Sequence, residues 1–557
     1  MALMSVDETR VVSSVTGIAV ATLAACLALT ACGQRDKGQQ SVATNAGGSA
    51  APAPVAAAPV DLAALHADAP DIDWFKGDVE AAFAAARAQS RPVFLYWGAQ
   101  WCPPCKQLKS SVFSRSDFIA KSQAFVNVYL DGDLPSAQRW GDEFRVTGYP
   151  TVVIFRPDRT EVTRLSGGMD LSLYAAVLDD ALGDVRPVKD VLDFAANKQE
   201  PISAGDCRRL AYHAFGLEDG EVFAPDLLAK GFESASLRCS AEQARERARL
   251  TVLAAARVTA LETAALKAGQ APSSRLKVLI AKVTGLLADR ELATANADAM
   301  RSLPPEFFGA ARVGTPQLAG TLRERWMTVA DAAATNPSFD AADQVSAQLL
   351  KIRAAKAFAP DGKVPTDVSR VALAAVTAAL SEKREAYARA GVVNSSINVF
   401  LALDELTRAR DLLAAEAAAS SHPHYYIGDL ADVEEKLGNT PRAVELLADA
   451  YTKAKGPASR FQWGHNYLSG LLRMRAEDAA TIRRVGTDVL GELAQPNSVH
   501  RRTKARLGEL QKSLGAWATT AERKAVVAQM RERFGAACVA SEQDGGERVA
   551  CQQVWTL

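Results

Sequence analysis

Apolar and polar positions change rhythm along the chain, and each rhythm predicts a different kind of structure. Val15 to Ala31 reads VTGIAVATLAACLALTA, a mostly apolar run. It is short and rich in small residues, which suits a cleaved signal segment better than a permanent span. Residues 33–60, GQRDKGQQSVATNAGGSAAPAPVAAAPV, offer little to bury and predict a disordered tether. Compact apolar runs follow. RPVFLYWG at 91–98, Phe125 to Asp131, Val152 to Phe155 and Glu161 to Leu165 read as strands. Leu134 to Phe144 and Leu171 to Leu182 read as helices between or after them, with Gly167-Gly168 closing the last strand. From about residue 200 the spacing becomes helical, as in Ala241 to Ala268, Arg275 to Ala297 and Asp367 to Ala390. Pro304-Pro305 and Pro360 to Pro365 mark breaks there.

Composition narrows the class. A chain of 557 residues predicts roughly two to four domains. Sixty-four basic residues balance 64 acidic ones, so no net field recruits nucleic acid or an anionic surface. Abundant alanine and only 7% aromatic residues favour close-packed helices over a β-sandwich. No Walker loop, dinucleotide fingerprint or Ser-His-Asp constellation stands in convincing context. Eight cysteines are too few for a disulfide-knitted miniprotein and invite assignment one by one.

The first strand runs directly into Trp101-Cys102-Pro103-Pro104-Cys105-Lys106. A strand delivering Cys-x-x-Cys to the start of a helix suits thiol chemistry. Backbone N–H groups there favour the thiolate of Cys102 and lower its pKa. Cys105, one turn on, is placed to resolve a mixed disulfide. Pro104 fits an early helical position without losing a needed hydrogen bond. The same pair could serve as half a zinc site, but the six histidines form no matching cluster. His422-Pro423-His424 reads as a loop beside a helix end rather than a ligand pair.

The order of elements, the Cys-x-x-Cys and the Gly148-Tyr149-Pro150-Thr151 step resemble the thioredoxin superfamily over about residues 70–185. The Arg91-Pro92-Val93-Phe94 start and Gly167-Gly168 look most like the C-terminal domain of transmembrane thiol:disulfide interchange proteins. That resemblance implies a central mixed sheet flanked by helices, with no cofactor. It makes Cys102 the nucleophile, Cys105 the resolving thiol and Pro150 a cis-proline against the redox pair. Tyr149 would offer its backbone to a substrate chain, and Trp101 would flank the disulfide as an apolar contact surface. One family feature is replaced: the buried Asp six residues before the first cysteine is Tyr96 here. Proton transfer from Cys105 would then pass through water or another group.

Leu29-Thr30-Ala31-Cys32 resembles the lipobox of bacterial lipoproteins. It implies cleavage before Cys32, loss of Cys26 with the leader, and a lipid-anchored Cys32. Cleavage would remove Asp7, Glu8 and Arg10 and leave the mature chain essentially neutral. Gly33 is not the aspartate that retains such proteins at the inner membrane. The implied location is therefore the periplasm, at the outer membrane of a Gram-negative bacterium. In that oxidising compartment Cys207, Cys239, Cys538 and Cys551 are expected to pair as structural disulfides. Local pairing is the simplest arrangement, although four cysteines allow three pairings. A 207–239 bridge would contribute roughly 3–4 kcal/mol by loop closure. Either pair could instead be a second redox couple.

Downstream, Arg408-Ala409 recurs as Arg442-Ala443, Leu412-Leu413 as Leu446-Leu447, and Pro423 as Pro457, each displaced by 34 residues. The period resembles tetratricopeptide repeats, helix pairs that stack into surfaces for extended protein segments. Arg460-Phe461-Gln462-Trp463 with His465 and Tyr467 could line a groove or fill a core. The expected organisation is a signal peptide at 1–31, a tether at 32–65 and a thioredoxin-like domain at 66–188. A helical region at 189–395 and a tetratricopeptide-like region at 396–557 complete it. The expected activity is thiol–disulfide exchange of reductase or isomerase type. Its partners would be protein disulfides and a membrane thiol–disulfide donor or acceptor. The alternative is a chaperone-like or scaffolding lipoprotein whose helical repeats bind protein. An intact Trp-Cys-Pro-Pro-Cys with its proline partner favours the enzyme.

Overall fold

The computed structural model describes residues 71–541, 551 and 553–555, apart from 147, 167–170, 184–185, 217–221 and 495–497. The apolar leader with Cys26, the lipidation candidate Cys32, the tether and Gly167-Gly168 lie outside the described residues.

Helix α1 (Val79–Gln89) starts on Asp78, whose carboxylate accepts the Ala81 N–H at 2.7 Å, and stops at Ser90 in a left-handed conformation. Strands β1 (Val93–Gly98), β2 (Val126–Asp131), β3 (Thr151–Phe155) and β4 (Glu161–Ser166) form one mixed sheet in the order β2-β1-β3-β4. β1 pairs parallel with β2 and antiparallel with β3, and β3 pairs antiparallel with β4. Helix α2 (Pro103–Leu108) leaves the end of β1 and passes into a π turn at Lys109–Phe113. Helices α3 (Ser116–Ser122), α4 (Pro135–Glu143) and α5 (Leu171–Ala181) complete the layers.

Alternation along β1 sorts its side chains between two cores. Val93, Leu95 and Trp97 pack with Phe83 of α1 and with Trp140 and Phe144. Phe94 and Tyr96 pack on the other face with Leu108, Phe113, Phe118 and Tyr174. Every β1 residue is buried. Tyr96, at the position of the family carboxylate, stacks on Tyr129 at 5.2 Å and meets Phe113 edge-on at 4.9 Å. Its ring fills apolar space that a carboxylate could occupy only at a desolvation cost.

The helical region begins at Val188–Asn197 without a change of core. Val191, Leu192, Leu210 and Phe232 belong to the same cluster as Phe94 and Ile154. Both outer strands are met by other backbone. The Ala214 N–H donates to the Arg164 carbonyl at 2.9 Å, and the Arg164 N–H donates to His213 Nδ1 at 3.2 Å. Beside β2, the Phe75 N–H donates to the Asn127 carbonyl at 2.7 Å.

Two predicted helices are interrupted. The run from Arg275 gives helices Ser274–Leu286, Arg290–Thr294 and Ala297–Met300. Asp289 caps the middle one by accepting the Leu292 N–H at 3.0 Å. The run from Asp367 ends at Ser381 and restarts at Ala386–Ala402. There the Arg384 side chain bonds the Ala379 carbonyl and closes the first helix without glycine or proline.

The 34-residue period is present as geometry. Helices Leu406–Ala419 and Pro423–Lys436 recur as Thr440–Lys453 and Pro457–Met474. The left-handed residue before each pair also repeats, as Asp404 (φ 60°) and Gly438 (φ 83°). Phe461, Trp463, His465 and Tyr467 are buried, so this aromatic stripe belongs largely to the core. Among the described residues no helix is long and apolar enough to cross a membrane.

Gly428 allows two of these helices to touch. A Cβ there would lie 2.0 Å from the Trp463 ring. Gly428→Ala should therefore destabilise the protein by about 1–3 kcal/mol through overpacking. Thermal denaturation followed by circular dichroism reads this out, and an unchanged midpoint would show that the helices separate freely.

Candidate redox site

Cys102 is the N-cap of α2, with Pro103 and Pro104 in the first turn, where a missing N–H costs nothing. Its Sγ accepts the Cys105 N–H at 3.2 Å. The two cysteines are joined as a disulfide. Once reduced, the same N–H is placed to stabilise a Cys102 thiolate. Cys102 is 3% exposed and Cys105 0%, so only the first offers any surface to a reagent. Cys102, Cys105 and Ala99 form a small apolar cluster with Trp101 and Tyr149 packed against it.

Tyr149–Pro150 is a cis peptide. The Tyr149 hydroxyl donates to the Gly132 carbonyl at 3.1 Å. Gly132 is required at this approach, because a Cβ would fall 2.1 Å from the phenol oxygen. The same oxygen accepts an Arg502 N–H at 2.6 Å, and that guanidinium lies 4.5 Å from the ring centre. Burial holds the Tyr149 phenol above its ordinary pKa, partly offset by Arg502.

Trp101 is likewise held from both sides. Its indole N–H donates to Asp133 at 2.7 Å, and its ring stacks on Tyr425 at 5.9 Å. His424 meets it edge-on at 6.3 Å. Asp133 also accepts the Ser459 hydroxyl at 2.6 Å. Desolvation, reinforced by Asp131, pushes the Asp133 carboxyl up to about 6 despite these donors. Burial pushes His424 down to about 4, with His422 and Lys455 adding to the shift, so its ring is neutral near pH 7. His424 lies inside the helix Pro423–Lys436, one residue beyond its start.

The structure thus packs Trp101 and Tyr149 against Cys102 and Cys105, with Pro150 following Tyr149 through the cis peptide. Cys207–Cys239 and Cys538–Cys551 are each joined elsewhere in the helical region. Sequence reasoning passed over Gly132, Asp133, His424, Tyr425, Ser459 and Arg502. Only His424 and Tyr425 carried a local signal, an aromatic cluster at the first turn of a proline-started helix.

A mixed four-stranded sheet, a buried cysteine pair capping the helix after β1 and a cis-proline before β3 define a domain of the thioredoxin superfamily. Residues 73–157 match the family described as Thioredoxin-like. A thiol:disulfide interchange protein DsbD of Klebsiella pneumoniae subsp. pneumoniae is 30% identical over 101 residues. The match covers 17% of this chain and 17% of that protein. The likeness therefore concerns one domain, and the vicinal cysteines in it support thiol–disulfide redox chemistry.

Asp133 gives the site a pH dependence. Its folded pKa is raised, so its proton favours the fold at low pH and that contribution fades as pH rises through about 6. The change amounts to up to about 3 kcal/mol. Asp133→Asn has no charge to bury. The stability of wild type relative to this variant should fall by about half of that amount between about pH 5 and about pH 8, most of the rest being lost already between about pH 4 and about pH 5. Urea denaturation at both values measures it, and a pH-independent difference would contradict the desolvation of this carboxylate.

Proposed function

We propose that this protein is a lipid-anchored thiol–disulfide oxidoreductase of the bacterial periplasm, acting as a disulfide reductase or isomerase through Cys102 and Cys105. The observation that carries the reading is the cysteine pair at the start of α2, with its N–H donor and the cis Tyr149–Pro150 peptide. A domain kept only for binding has no need of both thiols.

In the reductive direction the Cys102 thiolate attacks one sulfur of a substrate disulfide. A mixed disulfide forms and one substrate thiolate leaves. Cys105, deprotonated, attacks Cys102 Sγ and expels the second substrate thiol. Two electrons have passed to the substrate, and the chain holds the Cys102–Cys105 disulfide. A dithiol donor must reduce it again, and a membrane thiol–disulfide partner of the kind suggested by the DsbD likeness suits that role. Run backwards, the same steps oxidise a dithiol, and the relative potentials of the partners set the direction. Trp101 and Tyr149 flank the sulfur under attack. Cys207–Cys239 and Cys538–Cys551 act as structural staples. Lipidation at Cys32 would hold the body near the outer membrane, with residues 33–65 as tether.

Full-length mature protein should catalyse dithiothreitol-driven reduction of glutathione disulfide or insulin, and Cys102→Ser should abolish it. Equal rates in the two proteins would end the redox reading. Cys105→Ala, which leaves mixed disulfides unresolved, should accumulate Cys102 joined to its periplasmic partner, protein or small thiol, for identification by mass spectrometry. For the anchor, Cys32→Ser should move the protein from the membrane fraction to the soluble fraction. Continued membrane association would refute lipidation at that residue.

A further inference from the structure

The residues that a docking polypeptide would have to touch are already engaged by the helical region. Trp101 is stacked on Tyr425. Asp133, which holds the Trp101 indole, is bonded to Ser459, and the backbone at Gly456 lies against its side chain. Tyr149, next to the cis-proline, is held by Arg502. The outward face of α2 is covered as well. Gln107 donates to Asp340 at 2.8 Å, and the Lys106 ammonium lies 5.9 Å from the centre of the Tyr387 ring. Farther round, the Arg501 N–H bonds Asp142 of α4. These contacts come from five separate parts of the helical region, spread over residues 340–502, and they ring the cysteine pair. Cys102, packed against Trp101 and Tyr149 beneath these contacts, is itself 3% exposed.

An extended substrate chain needs room on both sides of the attacked sulfur, along Tyr149 and across Trp101. A small disulfide needs access to one sulfur only. We infer that the helical region sets the substrate class: Tyr425, Ser459 and Arg502 form a wall that screens Cys102 from folded-protein disulfides and leaves small disulfides as the favoured substrates. This rests on the redox reading of Cys102. It assigns the wall a role opposite to a client-docking surface, since the groups that would dock a client are spent on internal contacts. A protein disulfide reacts only when the wall moves away.

The test uses the full mature chain with two acceptors, insulin and glutathione disulfide, both under dithiothreitol. Tyr425→Ala removes the ring stacked on Trp101, and Arg502→Gln removes the guanidinium over Tyr149. Each should raise the ratio of insulin rate to glutathione disulfide rate by about tenfold, the scale of one lost contact. An unchanged ratio overturns the screen, and a fallen ratio shows that the wall docks protein. Loss of Cys102-dependent turnover of both acceptors in wild type would instead sink the redox reading itself. A second measurement needs no variant. In reduced wild type, iodoacetamide should modify Cys102 far faster than a polymer-bearing maleimide does, relative to their rates on urea-unfolded protein. Equal relative rates in the native protein overturn the proposal.

Discussion

β1 is covered on both faces and hydrogen-bonded along both edges, and the redox motif hangs from its C-terminal end. A strand in that position has almost no freedom to shift, because a slip of one residue would exchange Phe94 and Tyr96 with Val93, Leu95 and Trp97 between two differently shaped cores. The position of Cys102 follows from this restraint. Two prolines start α2 after a four-residue turn from the strand end, so the cysteine becomes the helix cap and its sulfur meets the Cys105 N–H. Placement on a rigid strand end is what a nucleophile needs if its geometry is to be preserved through repeated cycles of attack and release. The same rigidity extends to Tyr149, because β3 lies beside β1 and Thr151 ties back to the Gly148 carbonyl at 2.9 Å.

The small α/β layer and the helices behind it share apolar packing. Leu192, Leu210 and Phe232 continue the cluster begun by Phe94 and Ile154. A second cluster gathers the repeat helices and reaches Trp101 from the far side. The redox motif therefore lies where the two clusters approach each other. Burial of this extent is expensive for ionisable groups, and the cost is visible at Asp133 and His424. Each is displaced toward its neutral form where it faces Trp101.

The strands and the cysteine motif were legible because they are local. Alternation in 91–98, the Cys-x-x-Cys at its end and the Tyr149-Pro150 step lie within short windows, and their chemistry depends on near neighbours. The repeat was legible for a related reason, since Pro423 and Pro457 mark equivalent helix starts. What escaped was long-range or disguised. Asp133 and Ser459 are 326 positions apart, and neither carries a signature pointing to the other. Asp404 stands where Gly438 stands in the next unit, so the recurring left-handed turn was hidden by an aspartate. The helix break after Ser381 uses the Arg384 side chain rather than glycine or proline, and charged residues there look like a solvated helix face. Tyr96 stands six residues before Cys102, and its stacking on Tyr129 depends on strand register that only the fold supplies.

The backbone contacts at the rims of the sheet have a bearing on crowding. An open strand edge is a template on which a second copy can add its own strand, and proteins held at high local density are the most exposed to that hazard. Here the Arg164 backbone of β4 is taken up by His213 and Ala214, and the Asn127 carbonyl of β2 by Phe75. The chain itself meets β4 at the fourth of its six residues and β2 at the second of its six. The longest run left for a foreign strand on either side is shorter than a typical strand. Each of these contacts shortens the edge on which a strand from a second copy could add.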